Sequence, residues 1–122
     1  MALAVNILRG GFSAGQAKAF NGALATGLTA AGTVITDALD LTADTNVFGT
    51  VASGTGAQLP SCEIGDSVEV YNGGANVLKV YPDTSANQIN AVTAGTAVSL
   101  ATNTMMMFRR ISTTRWIAML SA

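Results

Sequence analysis

A chain of 122 residues has room for one domain with one modest core, and its six basic against seven acidic residues leave a net charge of −1, without the basic surplus that nucleic acid or an anionic membrane selects. It has no histidine and one cysteine, which removes the side chain best suited to proton transfer near neutral pH, an intrachain disulfide and any Cys/His zinc site, so neither an enzyme nor a cofactor is expected. Only 11% of residues are charged while 49% are apolar, so part of the exterior is expected to lie against sister copies or a larger scaffold.

The opening residues, MALAVNILRGGFSAG, lack the basic start of a secretory signal, and Arg9 interrupts a short apolar run. Residues 1–12 read as an extended apolar arm, with Leu3, Val5, Ile7 and Leu8 ahead of a Gly10-Gly11 hinge. Such an arm cannot bury its own side chains and is expected to lie on a neighbour. Residues 13–26 read as one short helix. Ser13 and Gln16 fit a capping box, Phe12 sits at the staple position, Ala17, Phe20 and Leu24 form a stripe at helical spacing, and Gly27 supplies a left-handed stop. The chain therefore divides into an arm with a helix, 1–27, and a body, 28–122.

Beyond Leu28 the pattern changes to short runs broken by Gly, Asn, Pro, Ser and Thr. Strands are predicted at 32–41, 45–52, 57–60, 66–72, 76–81, 87–90, 96–100, 104–111 and 115–120, a spacing of about ten residues that suits a β-sandwich or jelly-roll. No internal repeat of fixed period is evident. Residues 66–81 read as a hairpin. A three-residue loop, Gly73-Gly74-Ala75, pairs Val70 with Leu78, Val68 with Val80 and Glu69 with Lys79, and the two glycines are assigned the positive φ that such a loop needs. No transmembrane helix is predicted, because the longest uncharged stretch, Thr84 to Phe108, carries Asn87, Gln88, Asn90 and Asn103.

The last two strands are apolar on both faces, from Met105 to Phe108 and from Trp116 to Leu120. One face must meet the body core. The other meets the opposing sheet or a neighbouring subunit, for which methionine is an adaptable filler. Arg109, Arg110 and Arg115 flank the turn between these strands and are half of all positive charge. They read as a solvated tip, a contact for an acidic partner, or a phosphate site. The candidate interface set is Leu3, Val5, Ile7, Leu8, Phe12, Phe20, Met105, Met107, Arg109, Arg110 and Trp116.

Other motifs carry less chemistry. Gly54-Thr55-Gly56 and Gly73-Gly74 precede no helix and no phosphate-loop lysine. Asp37, Asp40 and Asp44 lack the alternating spacing of a calcium loop. Cys62 has no histidine to activate it and reads as a small buried hydrophobe, consistent with a reducing compartment. Trp116, Tyr71 and Tyr81 could stack a sugar, which defines a glycan-binding alternative.

Three stretches carry a resemblance. They are Gly27 to Thr33 with Ala38 to Asp44; Leu59-Pro60 with Gly65 to Val70, Asn72, Gly74 to Asn76 and Leu78 to Pro82; and Ile89-Asn90 with Thr114 to Trp116. Together, over roughly residues 27–120, they resemble small structural proteins encoded by tailed bacteriophages. The resemblance implies a β scaffold and a place in the virion, and transfers no functional residue. With the size and the apolar arm, it points to a head decoration (cement) protein, a homotrimer on the capsid exterior that staples neighbouring capsomers after assembly in the host cytoplasm. A tail, neck or fibre-base component is the alternative within the virion.

Overall fold

The structure, a computed structural model, describes residues 23–120. Ten strands follow one another: β1 (Leu24–Thr29), β2 (Leu39–Asp40), β3 (Thr45–Thr50), β4 (Gly56–Gln58), β5 (Ser67–Asn72), β6 (Leu78–Tyr81), β7 (Gln88–Ile89), β8 (Val98–Leu100), β9 (Thr104–Arg110) and β10 (Arg115–Leu120). They build a six-stranded sheet in the order β1-β3-β5-β9-β10-β7 and a four-stranded sheet in the order β2-β4-β6-β8. Among the described residues there is no helix.

The first six strands form three stacked coils, each placing one strand in each sheet. β1, β3 and β5 pair in parallel, and so do β2, β4 and β6. Parallel stacking puts like positions above one another, so inward side chains form columns. Leu28, Phe48 and Asn72 make one column in the larger sheet. Leu39, Ala57 and Val80 make the matching one in the smaller sheet, continued by Val98. The core lies between, with Phe48, Val70, Leu78, Val80, Leu100, Phe108 and Trp116 fully buried.

The third coil is closed by antiparallel strands. β9 pairs with β5, setting Phe108 against Val68 and Met106 against Val70, and β8 pairs with β6. β9 and β10 form a hairpin, and β7 lies parallel to β10 with Ile89 beside Trp116.

This architecture is mainly β, as the strand spacing implies, with a connectivity unlike a jelly-roll: five of the eight described strand pairings are parallel. Residues 1–12, and the predicted helix up to residue 22, lie outside the described residues. Residues 24–26, assigned to that helix, belong instead to β1. Gly27 does take a positive φ of 65°, but within the strand, inside the register shift between Ala25 and Leu28 where β1 meets β3, and not at a helix end. The division at Gly27 thus falls inside a strand.

The hairpin expected over 66–81 does not form. Its alternation is right, since Val68, Val70, Leu78 and Val80 all face the core, but β5 and β6 join different sheets. Gly73-Gly74 is a corner between them, and neither glycine has positive φ. They are needed for close approach. A Cβ on Gly73 would sit 2.8 Å from the Phe48 carbonyl oxygen, and one on Gly74 would sit 2.7 Å from Val51 of the coil below. Asn72 fastens the corner. Its amide donates to the carbonyls of Asn76 and Leu100, and its Oδ1 accepts from the Gly74 N–H.

Candidate functional site

The larger sheet has one face on the core and one that no other described element covers. On β9, Met106 and Phe108 point inward, so Met105, Met107 and Arg109 point outward. Antiparallel pairing with β10 sets Met107 against Met119 and Arg109 against Ile117. Met119 is 63% exposed, Leu120 54% and Ile117 40%. On the other side β5 contributes Tyr71 beside Met105 and Glu69 beside Met107. Two shallow hollows of about 220 and 190 Å³ share Met107 and Met119. The result is an apolar band flanked by the Glu69 carboxylate on β5 and by the Arg109 guanidinium on β9. Glu69 is held there by a 2.8 Å hydrogen bond from Thr45 Oγ1. Such a band has the chemistry of a contact surface, since flexible thioethers adapt to a partner's relief and burying each large apolar side chain contributes about 1.5–3 kcal/mol.

The sequence-based interface set is divided by the fold. Met105, Met107 and Arg109 come together on this face. Leu3, Val5, Ile7, Leu8, Phe12 and Phe20 lie outside the described residues. Arg110 and Trp116 face inward. Trp116 is fully buried and donates from Nε1 to Asp83 Oδ1 at 2.9 Å. Arg110 lies 3.6 Å from Asp83 Oδ2 and donates to the carbonyls of Cys62, Ser112 and Thr113. Asn87 also donates to Asp83, at 2.8 Å. Asp83, its side chain 4% exposed, therefore accepts from two donors, pairs with one guanidinium and ties the closing hairpin to the Asn87 loop. The three arginines do not act as one cluster: Arg110 turns inward to Asp83 while Arg109 and Arg115 stay on the outer face, where Arg115 donates to Gln88.

Ile117 and Met119 belong to the apolar face and were absent from the predicted set. Period-two alternation from Trp116 identifies both, once Trp116 is known to point inward. The aromatic trio does not make a sugar platform: Trp116 has no exposed ring, and Tyr81 is buried with its hydroxyl donating to the Thr33 carbonyl. Cys62 packs against the core, and burial, reinforced by Asp66, pushes its thiol pKa up, away from the thiolate. Among the described residues no group of acidic, histidine or cysteine side chains is placed to hold a metal ion.

No family model, no curated protein and no solved structure matches this chain.

Proposed function

We propose that the chain is a structural protein of a phage virion, a decoration subunit that associates with its own copies and binds the outside of an assembled head. The observation that supports this reading most is the outward apolar face of β9 and β10 in a chain with only 11% charged residues. In this reading Met107, Ile117, Met119 and Leu120 meet sister protomers, in a homotrimer. Leu3, Val5, Ile7, Leu8, Phe12 and Phe20 supply the apolar contact with the capsid lattice. Specific association needs about 800 Å² on each partner, more than one small hollow offers, so several strands of the face would be engaged. Three linked arms then multiply modest affinities through effective concentration.

Sedimentation and capsid binding test the two halves separately. The wild type is expected to sediment as a trimer and to bind expanded heads at hundreds of copies per particle. Ile117→Asp with Met119→Asp is expected to yield folded monomers. Deletion of residues 2–12 is expected to keep the oligomer and lose the capsid. A wild-type monomer at micromolar concentration overturns the oligomer, and undiminished capsid binding by the truncated chain removes the arm from the mechanism. A handful of copies per particle moves the protein to the tail or neck.

A further inference from the structure

A groove of about 360 Å³ opens on the outer face of the smaller sheet, opposite the methionine band. Its floor is the paired row of Lys79 on β6 and Ser99 on β8. One wall is the segment carrying Val34 and Ile35. That wall is pinned from two sides: Asp37 Oδ1 accepts the Thr33 and Val34 N–H groups at 2.9 Å each, and the Tyr81 hydroxyl donates to the Thr33 carbonyl at 3.1 Å. The opposite wall, Thr96 and Ala97, is held by the Gly95 N–H donating to the Asn87 carbonyl and by Thr96 Oγ1 donating to the Thr93 carbonyl.

Lys79 is the single charged residue lining this groove, and it makes no ion pair among the described residues. Strand alternation alone would pair it with Glu69, but that carboxylate lies in the other sheet, bonded to Thr45. The fold thus leaves an exposed lysine on the floor of an open groove, with Ser99 opposite it in the strand pair as a second potential donor.

We propose that this groove binds a carboxylate carried on a short peptide, with the carboxylate on Lys79 Nζ and a neighbouring aliphatic side chain against Val34 and Ile35. One cation with one hydroxyl matches a single negative charge, whereas phosphate sites converge several cations or backbone N–H groups. The walls are aliphatic, and the only ring, Tyr81, is 7% exposed, so a sugar has no face to stack on. The volume suits about two residues, at the lower end of the range of small-ligand sites. The site stands independently of the assembly reading, because it lies on the other sheet and uses none of the same residues.

Titration of the ¹⁵N-labelled full chain with acetyl-Leu-Glu amide, acetyl-Leu-Gln amide and glucuronate tests it. The Glu peptide is expected to produce saturable shifts at Val34, Ile35, Lys79 and Ser99 with a dissociation constant of about 1 mM. The Gln peptide is expected to bind at least about tenfold more weakly, and so is the Glu peptide to Lys79→Met, which keeps the aliphatic stem and leaves the rest of the spectrum in place. Equal binding of the two peptides, an unaffected Lys79→Met, or no saturation overturns the proposal. Binding of glucuronate alone replaces the peptide with an acidic sugar and overturns it equally.

Discussion

The three parallel coils and the antiparallel segment that closes them solve the same problem in different ways. In β1 to β6 each strand is positioned by the one beneath it. Inward side chains stack in columns, and the corner at Gly73-Gly74 must stay free of side chains so that successive coils can touch. In β7 to β10 the stacking gives way to the antiparallel β9–β10 hairpin, and polar chemistry fixes it to the body. Asp83 gathers Trp116, Asn87 and Arg110, and Arg110 reaches on to the Cys62 carbonyl. The coils are fastened at their corners by asparagines, Asn46, Asn72 and Asn76, bonded to backbone carbonyls, whereas the closing segment is fastened by a buried charge, Asp83. The outward apolar band lies on this closing hairpin, next to the cluster that fixes its position.

The contrast is sharpest at Asp83. Asp83→Ala removes the acceptor of the indole and leaves the Arg110 guanidinium without its counter-charge. A loss of about 3–5 kcal/mol is expected in urea unfolding, with the methionine face disordered first. Gly74→Ala probes the coil side. Its Cβ would press on Val51 at 2.7 Å, and overpacking of this kind costs about 1–3 kcal/mol. If the two substitutions proved equally harmful, or their order reversed, the distinction between the coils and the closing segment would fail. Ile117→Ser and Met119→Ser sit on the outward face and should move the stability of the isolated protomer by no more than about 0.5 kcal/mol, while shifting sedimentation toward the monomer. The smallest effect is expected at Cys62. Because the folded thiol is harder to ionise than the free one, its contribution is present at neutral pH and is lost as pH rises past the ordinary thiol value of 9.0. Iodoacetamide labelling at pH 8 should therefore be slow in buffer and fast in urea.

Strand positions were largely legible. The runs at 45–52, 66–72, 76–81, 104–111 and 115–120 each contain the observed strand, because alternation marks which residues face a core whatever the strand pairs with. What they pair with was not legible. Val70 and Leu78 suit a hairpin as well as two sheets of a coil, and only stacking on Phe48 and Val51 distinguishes them. The repeat was hidden for a related reason. β1, β3 and β5 begin at residues 24, 45 and 67, nearly evenly, but β2, β4 and β6 begin at 39, 56 and 78, since the first corner is longer than the later ones. No single period then aligns the apolar positions of both sheets.

The same separation holds for the surfaces. Met105 and Met107 could be picked out as doubly apolar strand residues, yet nothing local to Arg110 or Trp116 told that they turn inward to Asp83, 27 and 33 residues away. The amino-acid sequence alone specified that the body is mainly β, with no histidine, no intrachain disulfide and few charges, because those properties follow from which residues are present and how they alternate. Only the tertiary structure decided that the strands stack as coils, that Lys79 stands apart from Glu69, and which face of the closing hairpin meets water. Those are properties of partners distant in the chain, and alternation specifies a face without specifying what lies against it.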